Sequence, residues 1–340
     1  NIMSSFNGKR ILVTGATGLI GNSLVHKLMK FNNVHIVAVS RSKKKLHKCF
    51  SIYQNNPKFS FFTHDVSLPF NFLVYPIDYI FHAASPQENK VIYESPVDVI
   101  NANLLGTVNC IDILSKQELD QNVKGRLILF SSVTVYGNNT NKNLVVKETD
   151  TSVTEVIESN GAPYSQSKRM SEVIARAYAK QFGVDVVISR LSTVYGDTII
   201  KTDTAFFEFI NNAILGKDIQ IRNSTLPRRD NIYLDDAISG LLTIALKGKR
   251  SEAYNLSSNG ELENFLAVDE IAVVIKNEIN KRVGINQVPI NVIYSSCIKG
   301  TRKPGIILDN SKLKKLGWTL TTNFNDGIAK ILNSYTYKNS

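Results

Sequence analysis

Short apolar runs and amphipathic stretches alternate along the first half of the chain. Arg10-Ile11-Leu12-Val13 is an apolar run ending in Thr14-Gly15, and a helical pattern follows at Leu19, Ile20, Leu24, Val25 and Leu28. A second run covers Val34–Val39. Phe59–Phe62, Tyr79–Phe81, Leu127–Phe130 and Val184–Ser189 read as further strands, with helical patterns at Pro96–Leu114 and Tyr164–Phe182. Strand–helix alternation of this kind predicts an α/β fold with a doubly wound parallel sheet, covered on both faces. Past residue 195 the pattern loosens. Helical segments Ala205–Leu215, Leu234–Leu246 and Ala267–Asn280 mix with short runs such as Asn291–Tyr294. The expected organisation is one domain over residues 1–195 and a smaller, partly discontinuous α/β lobe over 196–340. Segments such as Asp230–Leu246 are expected to pack back on the first domain.

The 340 residues are 43% hydrophobic and 20% charged, which is ample apolar material for a core and excludes disorder as the main state. The most apolar stretch is read as Ile238–Leu246, nine residues interrupted by Ser239, Gly240 and Thr243. A membrane span takes about 20 residues, so none is expected. Asn1–Arg10 lacks the apolar centre of a secretory leader. Cys49, Cys110 and Cys297 lie far apart with no disulfide or metal spacing, which fits a reducing, cytoplasmic setting. The net charge of +11 implies anionic partners. Its lysines are scattered, which favours small phosphorylated ligands over nucleic acid or a membrane surface.

Thr14-Gly15-Ala16-Thr17-Gly18-Leu19-Ile20-Gly21 sits between the first strand and first helix. The glycines at 15, 18 and 21 meet a specific demand. One makes a tight turn, one lets a pyrophosphate approach the backbone, and one lets helix and strand pack closely. The helix N-terminus then faces the anion. A dinucleotide is the expected ligand, with the loop residues Gly15, Thr17, Gly18, Leu19, Ile20 and Gly21 around it. After the second strand an acidic residue would bind the ribose 2′-hydroxyl of NAD(H), whereas a basic one would accommodate the 2′-phosphate of NADP(H). This chain has Ser40-Arg41-Ser42, then Lys43, Lys44 and Lys45, and no carboxylate. Arg41 can pair with phosphate bidentately and Ser40 can donate a hydrogen bond. NADP(H) is therefore favoured, with NAD(H) possible. The lysines themselves read equally well as a solvated helix start.

Tyr164-Ser165-Gln166-Ser167-Lys168 opens a helical stretch, and its i, i+4 spacing puts Tyr164 and Lys168 on one face. A free tyrosine, with a pKa near about 10, is a poor proton carrier at neutral pH, and a neighbouring ammonium would lower that value. Alone, the spacing also describes an ordinary surface pair.

In the company of the other motifs the chain resembles the extended short-chain dehydrogenase/reductase family of nucleotide-sugar epimerases, dehydratases and reductases. The resemblance spans nearly the whole sequence. Beyond the glycine loop, it rests on Phe81-His82-Ala83-Ala84-Ser85, Asn103-Leu104-Leu105-Gly106-Thr107 and Phe130-Ser131-Ser132-Val133-Thr134-Val135-Tyr136-Gly137. It also rests on Arg190-Leu191-Ser192-Thr193-Val194-Tyr195-Gly196, on Arg228–Asp236, and on Leu316-Gly317-Trp318. It implies a Rossmann-type fold, with Ser132, Tyr164 and Lys168 as catalytic residues. It further implies cofactor contacts at Asp65, Val66, Ala83, Ala84, Ser85 and Asn103, with Tyr164 and Lys168 also reaching the cofactor. His82 is structural or cofactor-lining in this reading. For the substrate, a nucleoside-diphosphate sugar, the implied contacts are Ser85, Ser132, Val133, Thr134, Thr193, Arg229 and Arg302. Without the resemblance, Arg229 and Arg302 read as surface arginines.

Departures from the family pattern narrow the reaction. The 4,6-dehydratases carry Asp-Glu where this chain has Val133-Thr134, and the decarboxylases carry Glu at the Thr134 position. Both chemistries are disfavoured. With the Ser40-Arg41 signature, the expected reaction is reduction of a 4-keto-6-deoxy nucleotide sugar by NADPH. A C4 or C2 epimerase with bound NAD is the alternative, and a non-catalytic dinucleotide sensor is a further one. The family implies a homodimer through the helix from Val99 to Leu114 and the one following Tyr164. The apolar residues of both also suit a core.

Overall fold

The structure is a computed structural model of the full chain. It describes all residues except 1, 74–75, 87–88, 138–143, 151–155, 198–203, 223–224, 283–287, 296–300 and 339–340. Cys297 therefore lies outside the described residues, while Cys49 and Cys110 are buried free thiols.

Seven strands form the main sheet: β1 (Arg10–Thr14), β2 (His35–Ser40), β3 (Phe59–Thr63), β4 (Tyr79–His82), β5 (Arg126–Ser132), β6 (Asp185–Leu191) and β7 (Ala253–Leu256). Every pairing is parallel, and the spatial order is β3-β2-β1-β4-β5-β6-β7. Ile11, Leu12 and Val13 are wholly buried, as a strand with helices on both faces requires. The order reverses between β1 and β4, which opens a crevice at their C-terminal ends.

Four helices matter for the site: α1 (Leu19–Leu28), α2 (Lys43–Phe50), α3 (Pro96–Gln121) and α4 (Ala162–Phe182). α3 continues past the expected Leu114 until Asn122 takes a left-handed conformation (φ 53°). α4 has Pro163 in its first turn and stops at Gly183 (φ 74°). α3 also corrects the sequence-based reading that no segment is long enough to span a membrane. Its 26 residues pass that test by length and composition. Yet α3 packs against α4 and turns Val99, Cys110, Ile111 and Leu114 into the core beside buried Asn103 and Thr107, as a core helix does.

Residues from the second half rejoin the first domain. β7 extends the main sheet, and the helix Leu234–Lys247 joins its core through Leu241, Leu242 and Ile244. The rest builds a separate core from Tyr195, Phe209, Ile219, Tyr233, Ile275, Phe324 and Ile328. Its strands Thr193–Tyr195 and Arg229–Tyr233 pair in parallel, with Asn231 opposite Thr193. Both lobes thus converge on the C-terminal edge of the main sheet.

Candidate active site

The glycine loop leaves β1 at that edge. Gly15 is left-handed (φ 62°), and a Cβ there would sit 2.7 Å from the Ala83 and Ala84 backbone at the end of β4. A Cβ on Gly21 would meet the Gly15 carbonyl oxygen at 2.3 Å. Gly18 is exposed and precedes α1 with no side chain capping the helix. The first amides of α1 are thus left for an outside acceptor. Leu19 and Ile20 are half-buried and anchor the first turn on the core. The loop fits a dinucleotide pyrophosphate: a backbone cradle that a Cβ would fill, under a bare helix terminus.

Around the loop, Thr17 and Ser40 share a hydroxyl–hydroxyl bond of 2.8 Å, which ties the loop to the end of β2. Arg41 is exposed beside them. Burial raises the Asp65 carboxyl, but bonds from the Ser67 amide and hydroxyl, and after them the charge of Arg41, hold it below its ordinary value. Val66 is buried and accepts from Asn109 through its carbonyl (2.8 Å). His82 joins Thr14 through Nδ1 at 2.8 Å, and the Ala84 amide donates to the same hydroxyl at 3.2 Å. Burial holds the His82 imidazole down to about 3, so it is a neutral structural group. Ser85 has a buried hydroxyl with no partner among the described residues.

Ser132 ends β5 and opens a short turn, accepting from the Thr134 amide at 3.2 Å. Its hydroxyl also bonds to Tyr164, near the start of α4. Tyr164 is half-buried. Lys168, one turn on, is buried and donates to the Phe130 carbonyl at 2.6 Å. Its ammonium lies 5.9 Å from the Tyr164 ring centroid. The electrostatics differ from the sequence expectation that Lys168 lowers the tyrosine. Burial pushes the Tyr164 phenol up, opposed only by its bond to Ser132. Burial also pulls Lys168 down to about 7, opposed by the charge of Glu172. At neutral pH Tyr164 is therefore a phenol poised to donate a proton.

Asn103 faces α4 instead of the crevice. Its Nδ2 donates to Ser167 Oγ at 2.8 Å and its carbonyl accepts from Ser171 at 2.9 Å, while its Oδ1 is buried without a partner among the described residues. Val133 and Thr193 are half-buried. The Thr134 hydroxyl is buried without a partner among the described residues. Arg229 is solvent-exposed yet surrounded by protein, which lowers its pKa by desolvation, as in a cleft. Arg302 lies on the neighbouring segment, but Asp269 holds its guanidinium bidentately at 2.8 and 2.7 Å. An anion reaching Arg302 must share it with that carboxylate. Arg228 is likewise forked onto Glu270.

One feature escaped the motif reading. Glu172 is buried behind Lys168 and bonded to both Ser131 and Arg190. Its only signal in the sequence is its spacing, four residues after Lys168 on the same helical face.

The family model described as NAD dependent epimerase/dehydratase matches residues 11–257. UDP-glucuronic acid decarboxylase 6 of Arabidopsis thaliana is 28% identical over 326 residues, covering 94% of this chain and 86% of that protein. The dTDP-glucose 4,6-dehydratase of Escherichia coli is 26% identical over 343 residues, covering 96% and 93%. Among solved structures, UDP-glucuronic acid 4-epimerase from Bacillus cereus, in complex with UDP-glucuronic acid and NAD, superposes with a TM-score of 0.76 at 23% identity. That match covers 97% of this chain and 99% of the other, and shows the fold.

Proposed function

The chain belongs to the NAD dependent epimerase/dehydratase family, of the extended short-chain dehydrogenase/reductase type, and from that premise we propose that it is an NADP(H)-dependent reductase of a 4-keto-6-deoxy nucleoside-diphosphate sugar. The observation that carries the reading is the Ser132–Tyr164 hydroxyl pair, with Tyr164 kept protonated by burial, on the same sheet edge as the glycine loop. A bound nicotinamide dinucleotide would supply the hydride. Ser132 hydrogen-bonds the sugar oxygen and orients the carbonyl. Tyr164 Oη gives its proton to that oxygen as charge develops there, and Lys168 stabilises the resulting phenolate. Arg229 pairs with the diphosphate, and Ser85 and Thr134 offer their unpartnered hydroxyls to the sugar. Ser40 and Arg41 at the end of β2 support NADP(H) over NAD(H).

A second reading, a C4 epimerase holding NAD, draws support from Asp65. Its carboxylate is close enough to Arg41 for their charges to interact, and it would compete with a 2′-phosphate. Decarboxylation, the activity in the Arabidopsis relative's name, and 4,6-dehydration both draw less support, because Val133 and Thr134 carry no acid or base. The working unit in this reading is a homodimer. Val97 and Leu105 on α3 and Met170, Val173 and Phe182 on α4 are exposed apolar side chains on two helices packed together.

Mass spectrometry of nucleotides released from the purified, denatured protein, with NADPH and NADH titrations, tests the reading. A protein that arrives empty and prefers NADPH is the expected result. Tightly retained NAD would overturn it in favour of the epimerase.

A further inference from the structure

Behind Ser132, Tyr164 and Lys168 lies a polar chain whose members Ser131, Tyr136, Glu172 and Asn255 are buried and whose arginine, Arg190, is largely so. Glu172 accepts from Ser131 Oγ at 2.6 Å, from Arg190 Nε at 2.9 Å and from Arg190 Nη2 at 2.7 Å. Arg190, on β6, also donates to the Tyr136 hydroxyl at 2.9 Å and to the Glu148 carbonyl at 3.0 Å. Tyr136 donates in turn to Asn255 on β7 at 2.7 Å. Three consecutive residues at the end of β5 are thus held by three successive turns of α4. Phe130 is held through its carbonyl by Lys168, Ser131 by Glu172, and Ser132 by Tyr164.

We propose that Glu172 is a positioning residue for the reaction: through Ser131 it pins the end of β5 against α4, so that Ser132 stays on Tyr164, and one helical turn beyond Lys168 it places a carboxylate on the same face as that ammonium. The proposal rests on the hydride-transfer reading above. A role in satisfying Arg190 alone would leave Lys168 indifferent to Glu172. The surroundings argue otherwise. On its own helix Lys168 is faced by Tyr164, a phenol, and by Glu172. β4 presents neutral His82 and β5 the Phe130 carbonyl, while on α3 the uncharged Asn103 bonds to Ser167, next to Lys168 in the chain. Glu172 is the one negative charge among these groups. It acts against the burial that lowers Lys168, and Arg190, forked onto both oxygens of the same carboxylate, is not among the groups acting on that lysine.

The test uses lysine labelled with ¹³C at Cε, with the Lys168 resonance assigned by its loss in Lys168→Arg. In Glu172→Gln, Lys168 should titrate at least about one pH unit lower than in the wild type. If the single variant does not fold, because Arg190 is left buried and unpaired, Glu172→Gln with Arg190→Met removes both charges and should show the same downward shift. Ser131→Ala keeps the ion pair and leaves the Lys168 titration unchanged. It should lower kcat by about tenfold or more, with little change in KM, with NADPH and UDP-4-keto-6-deoxyglucose as the probes. Unaltered titration in the Glu172 variant, or wild-type turnover in Ser131→Ala, overturns the proposal. The titration needs no turnover. A wild type that does not reduce the probe would therefore count against the reductase reading, while the Lys168 titration still decides Glu172.

Discussion

The three loop glycines separate folding from binding, because each meets a different obstacle. In Gly15→Ala the new residue must hold φ 62° and put a methyl group 2.7 Å from the Ala83–Ala84 backbone. The left-handed conformation costs about 1–2 kcal/mol and overpacking against backbone about 1–3 kcal/mol, so about 2–5 kcal/mol of stability should be lost. Gly21→Ala has ordinary backbone angles but a methyl 2.3 Å from the Gly15 carbonyl oxygen, so it should lose about 1–3 kcal/mol. Gly18→Ala differs from both. Its φ is −76°, and the nearest atom to the new Cβ is the Gly15 oxygen at 3.4 Å, an ordinary contact. Its stability should stay within about 1 kcal/mol of wild type, the scale of a residue exchange at a helix N-cap. Gly18 is nevertheless the exposed N-cap of α1, where the proposed pyrophosphate would meet the amides, and a methyl group there would crowd that approach. Losing one charge-assisted hydrogen bond there costs about 1.5–3 kcal/mol, or about tenfold or more in dinucleotide Kd. Urea denaturation of the three variants gives the stabilities, and fluorescence titration with NADPH gives the affinities. Gly18→Ala as unstable as Gly15→Ala, or with unchanged affinity, would refute the placement of the phosphate at this loop.

Arg41→Ala should weaken NADPH far more than NADH in parallel titrations, and equal losses would remove Arg41 from the 2′-phosphate site. Arg229→Ala should raise the substrate KM more than Arg302→Ala, since Arg229 is exposed in a cleft and Arg302 is already paired with Asp269. The reverse order in steady-state kinetics would reassign the diphosphate. Lys168 has a folded-state pKa near 7 against an ordinary 10.5. Between these values the unfolded chain binds the extra proton, so the Lys168 contribution to stability rises with pH across that window. Denaturation from pH 7 to 9.5 should show a rise in the wild type that Lys168→Met lacks; parallel curves would count against it.

Much of this architecture is legible in the sequence because it rests on local patterns. The main strands and α1 follow from apolar runs and 3.6-residue periodicity, and the glycine spacing marks the cradle before any coordinate is known. The second half is less legible, for a physical reason. Arg229–Tyr233 and Ala253–Leu256 are short strands whose partners lie far away in sequence, and the span Leu234–Lys247 serves the first core while its neighbours serve the second. The last turns of α3, 115–121, are hidden because they are mostly polar (Ser115, Lys116, Gln117, Glu118, Asp120, Gln121) and bury only Gln117, so no apolar face marks them.

The site divides along the same line. Residue types that chemistry demands, such as Tyr164 with Lys168, announce themselves by spacing, but the protonation states they adopt do not. Y-x-x-x-K suggests a lysine that pulls the tyrosine down. In the fold Lys168 is buried and turns to the Phe130 carbonyl, and Tyr164 is half-buried with protein around it, so desolvation governs and keeps each nearer its neutral form. What offsets that tendency at Lys168 is a carboxylate whose other partners come from β5 and β6, distant stretches of chain that only the sheet brings beside α4. The identity of the machinery is therefore a property of one helix, whereas its charge state is a property of the sheet behind it. Substitutions at Ser131 or Arg190, which need touch no ligand, are accordingly expected to alter the chemistry at Tyr164.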